Sequence, residues 1–169
     1  MVFLVFISFF ILLRIAELLY SRHNQKWLLR HHAVEYGKEH YPFMVAMHIG
    51  FILSLIVENV FQEKPFYSLP LIGACLFLLI FKCWTVYSLG KFWNTRIYRV
   101  PGYALMVRGP YRYFKHPNYM IVTGELLFVP LAFGLNYTAL IFFMLNGAML
   151  YVRIQAENKA LRGTKIRIQ

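Results

Sequence analysis

The stretch VRGPYRYFKHPNYMIVTGE, at residues 107–125, decides how the apolar parts of this chain are arranged. It packs three basic side chains, three tyrosines, a His-Pro pair and a glutamate between two apolar runs. His116 precedes Pro117, a residue that fits the first turn of a helix, so we expect a helix to begin here. The unpaired N–H groups at such a helix start attract anions. The stretch therefore predicts a polar hinge that holds a binding site.

Five apolar segments surround this hinge, and each predicts a helix that spans a membrane. About 20 apolar residues cross ~30 Å of hydrocarbon. In this chain 59% of the 169 residues are hydrophobic, too many for an ordinary soluble domain. The fourth segment is short and is interrupted by Pro130. The predicted spans are residues 2–20, 43–60, 66–89, 119–134 and 138–153.

Basic residues are distributed unevenly between the two ends of these spans. With the N-terminus outside, the cytoplasmic side carries 4 Lys/Arg at residues 21–42, 6 at 91–118 and 5 from Arg153 onward. The other side carries only Lys64, and such an asymmetry follows the positive-inside rule. We therefore predict an all-α, multi-pass integral membrane protein. It is a bundle of about five transmembrane helices in one domain over residues 1–169, with a cytoplasmic cofactor loop.

Two other kinds of ligand are not expected from this composition. An excess of 18 Lys+Arg over seven glutamates could suit nucleic acid, but no basic stripe lies free of apolar sequence. Four histidines fall in the polar segment at residues 21–42, which we expect to be a linker. Their spacing would not aim several side chains at one metal ion. Neither nucleic acid nor a metal site is predicted.

Ionisable side chains inside the predicted spans need partners, because charge is costly within a membrane. Arg14 and Glu17 are three residues apart on one helical face and are expected to form an ion pair. Lys82 is expected to extend toward the basic end of its helix. His48 and Glu58 in the second span are each either a substrate contact or base, or a partner in an interhelical hydrogen bond.

The hinge offers aromatic and basic side chains to a ligand. Tyr111, Tyr113 and Tyr119 present ring faces suited to adenine or, by cation–π attraction, to a cationic group. Arg112 and Lys115 add positive charge beside the expected helix start. Taken alone, the hinge is also typical of an interfacial turn, since tyrosines and basic residues are common at membrane surfaces.

The C-terminal tail supplies the complementary groups. Arg153 and Glu157 are four residues apart and share one helical face, with Asn158 adjacent. A carboxylate accepts hydrogen bonds from ribose hydroxyls or an ammonium, and a guanidinium holds an anion through two hydrogen bonds. S-adenosylmethionine carries a carboxylate, an ammonium, a sulphonium, a ribose and an adenine. The side chains of the hinge and the tail can bind each of these groups, so S-adenosylmethionine is the predicted cofactor.

The segment GPYRYFKHPNY, followed by an apolar helix pair and RIQAENKAL, resembles the isoprenylcysteine carboxyl methyltransferase family of integral membrane methyltransferases. HYPFMVAMHIGFILSLIVE and FWNTRI are similar to the small bacterial members. The resemblance implies a helical bundle with a cytoplasmic S-adenosylmethionine pocket and a membrane-side tunnel for a lipophilic acceptor. Residues that match the family's cofactor motifs are Tyr111, Tyr113, His116, Pro117, Tyr119, Arg153 and Glu157.

Three positions depart from the pattern of that family. Lys115 stands where the family often has arginine, which keeps the charge but loses the planar fork. Ile121 stands where glycine is frequent, and Asn158 stands where a second glutamate is frequent. These positions make the geometry around the cofactor specific to this chain.

The chemistry of the acceptor decides which residues are catalytic. A carboxylate, as in a prenylated cysteine, arrives ionised and needs only orientation, for which Arg153 is the candidate. The hydroxyl of a long-chain lipid or polyketide such as an alkylpyrone needs a base, for which Glu125 and His48 are the candidates. Two other functions stay open: an NADPH-dependent membrane reductase of a lipid or sterol-like substrate, and a non-catalytic scaffold or transporter.

Overall fold

The computed structural model describes residues 1–103 and 106–163 and contains five long helices. Four helical stretches in this part of the chain are long and apolar enough to cross a membrane: Val2–Arg30, Lys38–Phe61, Leu69–Phe92 and Asn136–Ala160. The remaining helix has 16 residues, about 24 Å at 1.5 Å per residue. The prediction of an all-α membrane bundle is confirmed. The helices are α1 Val2–Arg30, α2 Tyr41–Phe61, α3 Leu69–Leu89, α4 Pro117–Ala132 and α5 Asn136–Gly163.

The N-terminal helix is longer than the sequence predicted. We expected a linker at residues 21–42, but α1 continues as far as Arg30. Ser21, Asn24 and Leu28 are buried on one face of this extension, against the segment that follows α3. Because that face is polar, it left no apolar signal for a helix in the sequence.

A small antiparallel sheet lies outside the bundle. Its strands are β1 Val34–Tyr36 and β2 Ile97–Arg99, and Val34 lies opposite Arg99 in the register. The sheet joins the connection after α1 to the connection after α3. These two connections therefore lie at the same end of the molecule.

The other end of the bundle gathers the remaining connections. Ser68 donates its backbone N–H to the carbonyl of Ala132 at 2.8 Å, and Phe3 packs edge-on against Phe133 at 5.2 Å between ring centroids. The chain turns between α4 and α5 at Gly134, whose φ is +71°. This turn ends before Asn136, which begins α5. The hinge and the tail consequently share the end opposite to the N-terminus.

A layer of four charged side chains crosses the bundle at mid-depth. Arg14 donates to Glu17 at 2.9 Å and to Glu125 at 2.6 Å, and Lys82 contacts the same two carboxylates at 2.5 and 2.9 Å. The predicted pair of Arg14 and Glu17 is confirmed. The predicted extension of Lys82 toward the basic end is wrong: its side chain is buried, because two carboxylates balance its charge inside the protein.

Glu58 makes an interhelical hydrogen bond rather than lining a cavity. Its two carboxylate oxygens accept the backbone N–H groups of Tyr137 at 3.1 Å and Thr138 at 2.7 Å. These groups belong to the first turn of α5, where N–H donors lack helical partners and the helix dipole favours negative charge. Glu58 of α2 therefore caps α5.

We expect Glu58→Ala to lower the thermal unfolding midpoint of the protein in detergent, because the cap of α5 and its charge are lost. Removal of a helix cap costs about 1 kcal/mol. Glu63→Ala is the matched control, since Glu63 is exposed in the neighbouring connection. Equal unfolding midpoints for the two variants would contradict the capping role.

Candidate active site

A polar cavity of about 210 Å³ opens at the end of the bundle that holds the hinge and the tail. Its walls come from the segment after α3, from the hinge and from α5. Four basic side chains and one carboxylate reach it, together with aromatic rings. The chemically active residues of its lining are Arg96, Arg99, Tyr111, Lys115, His116, Tyr119, Arg153 and Glu157.

The hinge and the tail contact each other directly in this cavity. Tyr119 donates its hydroxyl to Oε2 of Glu157 at 2.9 Å, and Nδ1 of His116 lies 3.3 Å from the same oxygen. The ring of His116 stacks on that of Tyr119 with 5.1 Å between centroids. Three side chains that are up to 41 positions apart in the sequence (157 − 116) thus form one cluster.

Arg153 lies one turn before Glu157 on α5 and closes the inner side of the cavity. Its guanidinium carbon is 5.2 Å from the ring centroid of Tyr119, and Nη2 donates to the carbonyl of Thr95 at 3.0 Å. Nη1 contacts the sulphur of Met44 on α2. The same side chain therefore connects α5, α4, α2 and the segment after α3.

A second cavity, of about 200 Å³, lies deeper, between α1, α2, α4 and α5, and most of its walls are apolar. It shares four lining residues with the polar cavity: Trp93, Asn118, Tyr119 and Arg153. We call these four residues the junction. A polar cavity and an apolar cavity that lies between the long helices therefore meet at one point.

Two buried donors at the junction lack acceptors. Nε1 of Trp93 and Nε of Arg153 find no hydrogen-bond partner within the described part of the chain. A buried N–H without an acceptor costs about 1–3 kcal/mol. Such groups are rare in folded proteins and call for an explanation. Both atoms belong to residues that line the two cavities, so a ligand bound at the junction is one source of the missing acceptors.

Several predicted cofactor residues do not line the polar cavity. Tyr113 is 71% exposed and Arg112 is exposed as well. Tyr111 and Tyr113 are two positions apart, so only one of them turns inward. Pro117 is buried as the first residue of α4, where it shapes the backbone, and Asn158 lies on α5 outside the lining.

The two candidate bases occupy different environments. Glu125 belongs to the charged layer and lines neither cavity. His48 lines the apolar cavity, and its Nδ1 lies 2.8 Å from the carbonyl of Met44. A carbonyl only accepts hydrogen bonds, so Nδ1 carries the proton in the neutral ring. Nε2 is then the basic nitrogen.

The segment after α3 was missed as part of the site, although FWNTRI was noted in the sequence. It supplies Trp93 to the junction and Arg99 to the cavity wall. Asn24, 1% exposed on α1, holds it by donating from Nδ2 to the carbonyls of Gly90 at 3.0 Å and Trp93 at 2.8 Å. Asn94 returns a hydrogen bond to the carbonyl of Ser21 at 2.9 Å.

Burial and charge change the protonation behaviour of groups around this cavity. Burial raises the pKa of Tyr111 above its ordinary value, and the negative charge of Glu157 adds to that rise. Burial lowers the pKa of Arg99, whereas Glu157 opposes that change. Tyr111 therefore stays a neutral phenol, able to donate a hydrogen bond, throughout the physiological range. Its ring presents an uncharged face to a ligand.

These features define a multi-span helical membrane protein in which a polar cavity meets an apolar one. The chain belongs to the isoprenylcysteine carboxyl methyltransferase family, whose family model matches residues 71–163. The resemblance seen in the sequence is thereby confirmed, and the family places this chain among the membrane methyltransferases.

The chain is also similar to two full-length bacterial relatives. It is 40% identical to "Uncharacterized protein YpbQ" of Bacillus subtilis over 158 residues, which cover 92% of this chain and 94% of the relative. It is 28% identical to an "Uncharacterized protein" of Haemophilus influenzae over 152 residues, which cover 88% of each. No solved structure matches the chain.

We expect Asn24→Asp to loosen the segment after α3, because a carboxylate would face two carbonyls that now receive N–H donors. Trypsin should then cleave more rapidly after Lys91, Arg96 or Arg99 in detergent-solubilised protein. His23→Asp introduces the same side chain at an exposed neighbouring position and should leave cleavage unchanged. Equal cleavage rates in both variants would show that Asn24 does not hold the segment.

Proposed function

We propose that this protein is an S-adenosylmethionine-dependent methyltransferase that methylates an oxygen of a lipophilic acceptor at the junction. The observation that carries the proposal is the meeting of a polar and an apolar cavity at Tyr119 and Arg153. A water-soluble methyl donor and a lipid need different solvents, and they need a shared point of contact. We place the polar cavity on the cytoplasmic side, in line with the distribution of basic residues.

The residues of the polar cavity fit S-adenosylmethionine. Glu157 suits an ammonium or ribose hydroxyls, while Arg99 and Lys115 suit a carboxylate. The rings of Tyr111 and Tyr119 suit an adenine or the sulphonium. The unpaired Nε of Arg153 and Nε1 of Trp93 further favour a ligand here. Of the predicted cofactor residues, this proposal gives direct roles to Tyr111, Tyr119 and Glu157, and His116 lines the cavity beside Glu157.

S-adenosylmethionine supplies a methyl group on a sulphonium, which is ready for displacement by a nucleophile in line with the leaving sulphur. The protein's task is then to orient the acceptor oxygen and to exclude water. Arg153 lies at the junction and can hold an oxygen that bears negative charge. Tyr119 and Trp93 form the surrounding wall and keep bulk water from the reacting atoms.

His48 makes a hydroxyl the better-supported acceptor. Nε2 is its basic nitrogen, and the residue lies one turn, about 6 Å, deeper in α2 than Met44, which contacts Arg153. In this proposal His48 takes the proton of the hydroxyl and Arg153 stabilises the resulting oxyanion. The carboxylate of Glu125 forms ion pairs with Arg14 and Lys82, so we assign Glu125 a structural role rather than that of the base.

The acceptor reaches its cavity from the bilayer, between α1 and α2. The closely packed pairs of long helices are α3 with α4, α4 with α5 and α2 with α5, so the first two helices are not tightly joined. Leu18 on α1 and Ile49 on α2 line the cavity and are 40% and 55% exposed. Apolar side chains that are exposed at this depth face lipid.

The cofactor is tested by titrating S-adenosylhomocysteine into the purified protein. We expect binding, and we expect Glu157→Gln to weaken it about tenfold to a hundredfold, since a hydrogen bond to a charged group contributes about 1.5–3 kcal/mol. Lys159→Gln is the control, because Lys159 is exposed on the same helix.

A parallel titration with NADPH distinguishes the reductase alternative. Binding of NADPH without binding of S-adenosylhomocysteine would replace the methyltransferase by a reductase. Failure of both ligands to bind at millimolar concentration would leave a non-catalytic membrane protein.

The acceptor class is tested by methyl transfer from radiolabelled S-adenosylmethionine to 4-decylphenol and to decanoic acid. We expect transfer to the phenol to fall about a hundredfold in His48→Gln, because general-base catalysis contributes about 10²–10⁴-fold. Affinity for S-adenosylhomocysteine should not change. Methylation of decanoic acid alone, undiminished in the variant, would instead identify a carboxylate acceptor that Arg153 orients.

A further inference from the structure

The inner part of the apolar cavity holds polar groups that the proposed methyl transfer does not use. Arg14 and Glu17 of the charged layer line its inner part, as does Asn146 of α5. The walls between these residues and the junction are apolar and include Val122, Met149 and Leu150. Polar side chains therefore reach the cavity both at the junction and in its inner part, where they lie beside Phe10 and Phe51.

The inner polar groups lie about 10 Å deeper than the junction. Asn146 precedes Arg153 by seven residues on α5, which is about 10 Å along a helix. Glu125 of the charged layer follows Tyr119 by six residues on α4, which is about 9 Å. Two helices give the same separation independently.

Asn146 has an unused acceptor in this place. Its residue surface is 2% exposed, and its Nδ2 donates to the hydroxyl of Thr123 at 2.9 Å. The Thr123 hydroxyl in turn donates to the carbonyl of Tyr119 at 2.9 Å, which fixes the direction of the amide. Oδ1 accepts no hydrogen bond within the described part of the chain. Because Asn146 lines the apolar cavity, this oxygen can accept a hydrogen bond from a donor bound there.

The charged layer determines which kind of group the site accepts. Arg14 and Lys82 balance Glu17 and Glu125, so the layer is neutral. An additional charge buried here would lack a counter-ion and would be costly. Arg14 retains N–H donors and Glu17 retains lone pairs beyond their mutual contact. A neutral group that both donates and accepts is therefore favoured.

We propose that Asn146, Arg14 and Glu17 form a second polar subsite that binds a neutral hydrogen-bonding group of the acceptor, such as a hydroxyl, about 10 Å from the methylated oxygen. The inference rests on the proposed function, because the acceptor occupies this cavity only if the protein is the methyltransferase described above. It predicts that an acceptor with polar groups at two positions binds more tightly than one with an unbroken hydrocarbon tail.

The test uses protein in lipid nanodiscs saturated with S-adenosylhomocysteine, and two isomeric probes, 10-hydroxydecanoic acid and 3-hydroxydecanoic acid. Their carboxylates match Arg153, but only the terminal hydroxyl of the first reaches the inner subsite. We expect the first to bind about tenfold more tightly, as one additional buried hydrogen bond allows. Asn146→Leu should abolish this preference, whereas Met144→Leu, at an exposed position of the same helix, should retain it.

If the unsubstituted protein binds the two isomers with equal affinity, the proposed subsite is wrong. This outcome does not depend on whether the variants fold. A preference that survives Asn146→Leu would overturn the role of Asn146. Binding of S-adenosylhomocysteine without binding of either probe would also contradict the subsite. Failure of S-adenosylhomocysteine itself to bind would instead refute the proposed function.

Discussion

The hydrogen bond between Tyr119 and Glu157 is the contact on which the candidate site depends. It ties the first turn of α4 to the cytoplasmic-side end proposed for α5, and it brings His116 to the same carboxylate. Because Arg153 is one turn away, the same contact positions its guanidinium over the ring of Tyr119. The inner side of the polar cavity and the junction between the two cavities are both built around this contact.

The bundle leaves room for a ligand because its first helix packs through apolar residues near its N-terminus, including Phe3 and Phe10, and is held beyond them by polar contacts at two depths. Arg14 and Glu17 join α1 to the middle of the bundle, and Asn24 joins it to the segment after α3. Between these attachments the apolar cavity reaches the surface beside Leu18. Charge balance within the layer keeps these attachments compatible with a membrane interior.

The part of the chain that matches the family model lines mainly the polar cavity, whereas the part outside the match lines much of the apolar cavity. Residues 71–163 match the family and include the hinge and the tail that line the polar cavity. The helices α1 and α2 lie outside that range, yet they supply much of the apolar cavity, including His48. In the proposed function, the donor side is thus the part shared with the family, and the acceptor side draws on sequence beyond it. The acceptor of this chain can then differ from an isoprenylcysteine.

The sequence alone determined the five apolar helical segments, though not the extension of α1 to Arg30. It also determined the start of α4 at Pro117 and the Arg14–Glu17 pair, because each depends on residues within a few turns of one helix. The family resemblance pointed to Tyr119, His116 and Glu157. Only the tertiary structure decided that Lys82 joins Glu125, 43 positions away, that Asn24 holds Trp93, 69 positions away, and that Glu58 caps α5. Those pairings depend on how each helix is rotated and displaced against its neighbours. Spacing along the sequence determines the face of a helix on which a side chain lies. The residue on another helix that this side chain contacts depends on how the whole bundle packs.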